Sequence, residues 1–315
     1  MDSFKLSFDI PVSNTKIVHG KKCLFLGSCF SDEIAAKAKY YGFNVSSNPF
    51  GTIFHPSVLS NFLNTTLDKS LEDESIVSRQ DLFFSWNASS SVYGFSSLEL
   101  FTLLQKSREE WLDKLQVADF LFVTFGTAWA YRSIDSAKIV ANCHKFPASH
   151  FTKELSEQEN LVAEWKETLR LLKIFNPTLK VIFTVSPVRH VKDGLVENNR
   201  SKAVLLDVVR RLETEFSCGY FPSYEIVMDE LRDYRFFKSD RIHPTDEAIN
   251  YVWQRFSAVY FSPETILLTQ EVGKIRLSEA HRSLFPNSKE FTQYQLKTAE
   301  KRKQLRAEFP EISLD

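Results

Sequence analysis

The chain has 315 residues, enough for one large core with insertions or for two modest domains. Hydrophobic residues make up 43% and charged residues 25%, ordinary values for a globular protein, and 28 phenylalanines spread along the chain read as core. A formal net charge of −1 argues against a dominant electrostatic partner, so neither nucleic acid nor a membrane surface is expected to bind.

The first twenty residues carry Asp2, Lys5, Asp9 and Lys16 and no apolar core, unlike a signal peptide. No stretch approaches the ~18 apolar residues of a membrane helix. The first strand-like run, Cys23–Leu26, stops at Gly27 and presents Ser28. Ser31 with Asp32 and Glu33 then reads as the cap and acidic first turn of a helix that ends at Gly42. A weak strand follows around Phe43–Ser46, then a helix over Pro56–Leu67, with His55 before Pro56 as its cap. Residues 79–97 look like an inserted hairpin, Asp81–Trp86 and Val92–Phe95 flanking a turn at Asn87–Ser91. A helix over Leu98–Leu115 leads to the most apolar strand, Phe120–Phe125, which ends at Gly126.

A second insertion, residues 131–150, carries Asn142, Cys143 and His144. Helix patterns over Lys153–Phe175 and Glu197–Phe216 bracket the strand Val181–Val185, and a fifth strand is expected at Tyr224–Met228. Asp246–Tyr260 closes the series as a helix, and Ser288–Glu308, rich in good helix formers, forms a helical tail. Strands alternating with helices imply βαβ units: an α/β fold with a mainly parallel five-stranded sheet covered on both faces. We expect one α/β domain over residues 1–265 and a helical extension over 266–315. The tail's periodicity leaves open whether it packs back, pairs with a partner or lies solvated.

In such sheets ligands bind beyond the carboxyl ends of the strands. Ser28, Gly126, Thr127 and Ser186 all follow strand ends, and Asp240 and His243 follow the last after a loop. A serine hydroxyl needs a base to become nucleophilic, and an imidazole needs an acid on its other nitrogen to fix its tautomer. Asp240-Arg241-Ile242-His243 supplies both within three residues, and Thr245, Asp246 and Glu247 start the following helix beneath them.

Plainer roles compete at each position. Ser28 also fits an ordinary turn residue, and Cys29 is a rival nucleophile at a helix start that would favour a thiolate. Cys143 and His144 would join Asp240 and His243 only in a metal site of unfamiliar spacing, so no metal and no cofactor is expected. Arg189 and His190 fit either a surface pair or contacts to a polar substrate group. Trp86, Tyr93 and Trp129 fit sugar stacking, but aromatic core is the default in this chain. The four cysteines lack Cys-x-x-Cys spacing and are expected to be reduced, in a cytoplasmic protein.

Gly27-Ser28-Cys29-Phe30, followed by Ser31 where alanine is usual, resembles the signature of the GSCFA family, a branch of the SGNH/GDSL-like hydrolases. Asn48–Thr52, Phe125–Trp129, Val140–Lys145, Ser186–His190, Tyr220–Glu225 and Asp240–Pro244 resemble its later blocks, so the likeness covers roughly residues 20–260. It implies a flavodoxin-like α/β/α domain with Ser28 as nucleophile, Asp240 and His243 completing a triad, and Gly51 as an oxyanion donor beside the Ser28 N–H. The superfamily's Gly-x-Asn block is replaced by Gly126-Thr127-Ala128, so Thr127 or Asn142 would stand in for the asparagine. The resemblance implies an esterase acting on a small-molecule or carbohydrate O-acyl ester. An acyltransferase with the same triad and a non-catalytic binding module remain the alternatives. The oligomeric state is not legible.

Overall fold

A computed structural model of the chain describes residues 6–69 and 75–314; Asp2 and Lys5 lie outside it. Strand β1 (Lys22–Gly27) leads into α1 (Cys29–Tyr40), β2 (Asn44–Ser47) and α2 (Pro56–Leu67). A hairpin, β3 (Ile76–Arg79) with β4 (Leu82–Ser85), precedes α3 (Ser97–Gln116) and β5 (Phe120–Phe125). A second hairpin, β6 (Trp129–Ser133) with β7 (Phe151–Leu155), precedes α4 (Gln158–Phe175), β8 (Lys180–Val185) and α5 (Leu195–Glu215). Then come β9 (Gly219–Tyr220), the short α6 (Ser223–Glu225), α7 (Asp246–Tyr260), α8 (Pro263–Ala280) and α9 (Lys289–Glu308).

The main sheet is parallel throughout, in the order β2-β1-β5-β8-β9. Numbered by the sheet's own strands this is 2-1-3-4-5, the flavodoxin-like order, and its direction reverses between β1 and β5. Side-chain alternation assigns the two faces. Leu24, Leu26, Leu121, Val123 and Phe183 pack under α2, α3, α4 and α5, while Cys23, Phe25, Phe122 and Ile182 pack under α1 and α7. The molecule is therefore a three-layer α/β/α sandwich, as the alternation of elements implied.

Four local expectations need correction. The apolar run Tyr224–Met228 is helical: α6 passes into a wide π-type turn over Ile226–Glu230, whose Ile226 and Val227 are buried in the α1/α7 layer. The fifth strand is instead the two-residue β9, too short to show a period. Lys153–Leu155 belongs to β7, paired antiparallel with β6, and α4 starts only at Gln158. In the first insertion β4 pairs with β3 across Gln80, at φ +55°, while residues 92–95 add only a Phe83–Gly94 bridge. Finally, Ser28 rather than Ser31 is the N-cap of α1; the Ser31 hydroxyl lies inside the helix and donates to Thr124 Oγ1 at 2.6 Å.

His55 does cap α2, its Nδ1 accepting the Ser57 N–H at 3.2 Å. The C-terminal segment returns to the α/β body: Ile312 and Leu314 pack against Val272, and the Ser313 N–H donates to the Gly42 carbonyl at 2.9 Å. Among the described residues no helix is long and apolar enough to cross a membrane.

Candidate active site

Ser28 sits at the switch point of the sheet, between the end of β1 and the first turn of α1. It is fully buried, and its Oγ has no hydrogen-bond partner among the described residues. It does not serve as a side-chain cap either. A buried hydroxyl without a partner costs about 1–3 kcal/mol, so its retention calls for a reason other than stability.

The turn is held from two sides. The Ser28 N–H donates to the Thr124 carbonyl at 3.1 Å, and the Gly27 N–H donates to Asn48 Oδ1 at 2.8 Å. Asn48 Nδ2 donates to Asp32 Oδ2 at 2.8 Å, and the Thr52 hydroxyl donates to the same oxygen at 3.2 Å. The segment after β2 is thereby fastened to the first turn of α1, and Asp32 serves as its anchor.

Asp240 and His243 form the expected dyad. His243 Nδ1 donates to Asp240 Oδ2 at 2.7 Å, while Asp240 Oδ1 accepts the Ile242 and His243 N–H groups at 2.8 and 3.0 Å. The His243 N–H, the ring N–H and the Ile242 N–H, in that order, hold the Asp240 carboxyl far below the usual carboxylate range. The ring proton is thus fixed on Nδ1, and Nε2 keeps the lone pair a general base needs. Arg241 closes the loop at φ +61°, a region that costs a non-glycine residue about 1–2 kcal/mol. Both dyad side chains are half exposed. Arg189 braces the loop: its guanidinium donates to the Arg241 carbonyl at 3.3 Å and lies 4.5 Å above the Phe237 ring. Arg189 therefore positions the dyad.

His190 is the other imidazole of this region. Its Nε2 is buried without a partner among the described residues, and its backbone N–H donates to Asn198 Oδ1 at 2.9 Å. Burial first, then the charges of Lys202 and His243, push its pKa down to about 4, so the ring is neutral near pH 7.

The expected oxyanion donors are engaged elsewhere. The N–H of Ser28 is taken by Thr124, and that of Gly51 donates to the Asn48 carbonyl at 2.9 Å. The N–H groups of Gly126 and Thr127 both donate to the Phe54 carbonyl. The Thr127 hydroxyl pairs with Ser201 at 3.1 Å and accepts the Trp129 N–H. Asn142 Oδ1 accepts the His144 N–H and the Ser90 hydroxyl within the insertions, with no hydrogen bond to Ser28. The Thr124, Phe54, Ser201 and Ser90 partners are set by tertiary structure, whereas the Gly51–Asn48, Trp129–Thr127 and His144–Asn142 bonds are local turns.

The rival assignments meet physical obstacles. Burial first, then Glu33 and Asp32, push the Cys29 thiol up, which disfavours its thiolate. His144 uses both ring nitrogens, on Ser90 and on the Ser85 carbonyl, leaving none for a metal shared with Asp240. Trp129 donates to the Glu197 carbonyl and carries Lys153 over its ring; Trp86 packs on His144, Phe146 and Phe151. Both are occupied by the protein itself.

Sequence reasoning misses Lys202. It lies on α5 among apolar positions, 1% exposed, and its Nζ donates to the Gly126 and Ser186 carbonyls at 2.6 and 2.7 Å. It thus ties together the first residues after β5 and β8, at the edge where Ser28 sits. Burial pushes its pKa down to about 7 from an ordinary 10.5, while the nearby Cys29 works weakly in the opposite sense. The unfolded chain therefore binds more protons between pH 7 and 10, and this group makes stability rise with pH across that window. From urea unfolding at pH 7 and pH 9, we expect the native chain to gain about 2 kcal/mol relative to Lys202→Met. Parallel curves for the two proteins would show that Lys202 is not desolvated.

A family model, the GSCFA family, matches residues 22–256. The chain belongs to the GSCFA family. The match spans the switch-point serine, the Asp240–His243 dyad and the Lys202 clamp, and leaves α8 and α9 outside. No curated protein matches the chain. Among solved structures it is similar to an acetyl xylan esterase (Est2A) from the rumen bacterium Butyrivibrio proteoclasticus, at 13% identity and a TM-score of 0.41. That alignment covers 82% of this GSCFA chain and 66% of the esterase, just under two thirds of its length.

Proposed function

We propose that this GSCFA protein is a serine esterase of the SGNH kind. Ser28 attacks an ester carbonyl, His243 Nε2 accepts the hydroxyl proton, and Asp240 holds the imidazole in the required tautomer. The alcohol leaves with that proton, and water resolves the acyl-serine. The observation that carries this reading is a Ser28 hydroxyl without a partner at the switch point, in a chain whose His243 has its Nδ1 engaged by a carboxylate. The Ser28–His243 hydrogen bond is not formed in this conformation. Catalytic hydrogen bonds often close only around substrate, and Ser28 must first be uncovered. His190, neutral and with a buried unpartnered Nε2, is our choice of donor to the oxyanion in place of the absent asparagine. The substrate class we infer is an O-acyl ester, with a carbohydrate O-acetyl group as its simplest member.

The burial of Ser28 favours one further reading of the same chemistry. An acyl-serine shielded from water would pass its acyl group to an acceptor alcohol, making the protein an O-acyltransferase. A fluorophosphonate probe tests the shared step. We expect Ser28 to be labelled, about a hundredfold more slowly in His243→Ala. Absence of any adduct on folded protein would instead support a non-catalytic binding role. Product analysis with and without a sugar acceptor then separates hydrolysis from transfer.

A further inference from the structure

The Ser–His hydrogen bond that Ser28 lacks is present elsewhere in the chain. In the loop after β4, Ser90 Oγ lies 2.8 Å from Nδ1 of His144, which comes from the second insertion. His144 is 2% exposed, and its Nε2 lies 2.8 Å from the Ser85 carbonyl. A carbonyl can only accept, so the ring proton resides on Nε2 and Nδ1 offers a lone pair to the Ser90 hydroxyl. The order is nucleophile, base, orienting acceptor, with a backbone carbonyl in the place a carboxylate usually holds.

A second Ser–His contact shows that this tautomer is not automatic. His55 Nδ1 accepts the Ser57 N–H, so its Nε2 must be the donor to Ser156 at 3.0 Å. That imidazole cannot take a proton from its serine. His144 can.

The surroundings of His144 suit a base that becomes charged during reaction. Phe84 and Trp86 stack on its ring with centroids 4.8 and 5.4 Å away, faces that stabilise an imidazolium. The segment is also held in place. Asn142 Oδ1 accepts the His144 N–H at 2.9 Å, and Arg79 donates to the His144 carbonyl at 3.0 Å. Asn142 Oδ1, 3.0 Å from Ser90 Oγ, is a second acceptor for the single Ser90 proton, with Nδ1 of His144 the nearer at 2.8 Å. His144 and Lys145 sit at φ +46° and +59°, left-handed conformations that are costly for both. Backbone strain of this kind gathers at functional sites. Burial lowers the His144 pKa, which keeps Nδ1 unprotonated near neutral pH. Ser90, unlike Ser28, is partly exposed to solvent.

We propose that Ser90 is a second serine nucleophile, activated by His144. The acyl-ester class of its substrate is taken from the proposed function, whereas the assignment of nucleophile and base stands on the Ser90–His144 geometry. In the step, Ser90 Oγ bonds to the ester carbonyl carbon while its proton moves to His144 Nδ1. The tetrahedral intermediate then breaks its bond to the alkoxy group, which leaves as the alcohol with that proton. Ser90 is left acylated, and water releases the acid by the reverse proton path.

The experiment is labelling with a fluorophosphonate, with the adduct located by peptide mass. It compares native protein, Ser28→Ala, Ser28→Ala/Ser90→Ala and Ser28→Ala/His144→Phe, each checked for native melting. We expect Ser28→Ala to carry one adduct on Ser90. The Ser90→Ala double variant should carry none, and the His144→Phe double variant should label about a hundredfold more slowly. Folded Ser28→Ala without an adduct overturns the proposal, as does labelling of Ser90 no faster than of an exposed serine such as Ser136. An adduct on Ser28 alone in the native protein leaves the esterase reading intact and overturns this one. An adduct on Ser90 alone supports this one and removes Ser28 from its role.

Discussion

In a Ser90→Ala background, replacing Ser28 by alanine is expected to lower turnover of a short-chain aryl ester by at least about 10⁴-fold while making the protein more stable. The two outcomes come from one atom. As nucleophile, Oγ forms the acyl bond, and no neighbour can supply it at that position. As a structural group it is a liability, buried and without a partner. Helix N-caps usually lose about 1 kcal/mol on mutation to alanine, but Ser28 makes no side-chain cap bond, so that loss does not apply. Removing an unsatisfied hydroxyl should therefore stabilise by about 1 kcal/mol, or roughly 2 °C in Tm for a chain of this size. Activity of Ser28→Ala/Ser90→Ala within tenfold of Ser90→Ala would sink the assignment. A lower Tm would show that Oγ has a partner in solution.

Gly27→Ala carries the second large effect, and it acts on the fold. A Cβ on Gly27 would lie 2.1 Å from the Thr124 carbonyl oxygen and 2.9 Å from its carbon, backbone atoms that cannot swing aside. The residue also sits at φ +130°, where an L side chain is strained whatever the space. Overpacking of about 1–3 kcal/mol and backbone strain of about 1–3 kcal/mol together predict a loss of about 2–6 kcal/mol. That is a large share of the 5–15 kcal/mol typical of a native domain. Gly194→Ala is the control: at φ +88° but with open space around it, it should show only the strain component. Urea midpoints of the two variants measure the difference. Equal losses would mean that the approach of β1 to β5 is looser than the register indicates.

The parts of the molecule legible in sequence are those that depend on near neighbours. Phe120–Phe125 reads as a central strand because an unbroken apolar run survives only where both faces are covered. The Asp240–His243 dyad reads because three residues of loop bring the carboxylate to its own ring. Ser28 reads because a glycine after a strand marks a turn wherever it occurs. Tyr224–Met228 misleads because an apolar run of five residues fits a buried helix turn as well as a strand. A serine before two acids is the usual cap signal and points to Ser31, yet that hydroxyl is claimed by Thr124, 93 positions away. Lys202 is half hidden: a helical wheel puts it on the buried face of α5 with Leu205, Val209 and Leu212, but only the carbonyls of Gly126 and Ser186 reveal where its amine ends. Whether Ser28 offers a free N–H is likewise decided by Thr124, not by its own neighbours.

The hydrogen bond from the Ser28 N–H to the Thr124 carbonyl has a consequence for how the protein is made. It closes a loop of almost one hundred residues, so the turn around Ser28 cannot be completed while β1 is emerging from the ribosome. It waits for β5, and the dyad waits for more than a hundred residues beyond that. Long-range parallel pairing of this kind is slow, because loop-closure entropy is lost before contacts reward it. A nascent or truncated chain ending before Thr124 therefore holds its serine in an unformed turn, and the geometry of the proposed site arises only as the sheet closes.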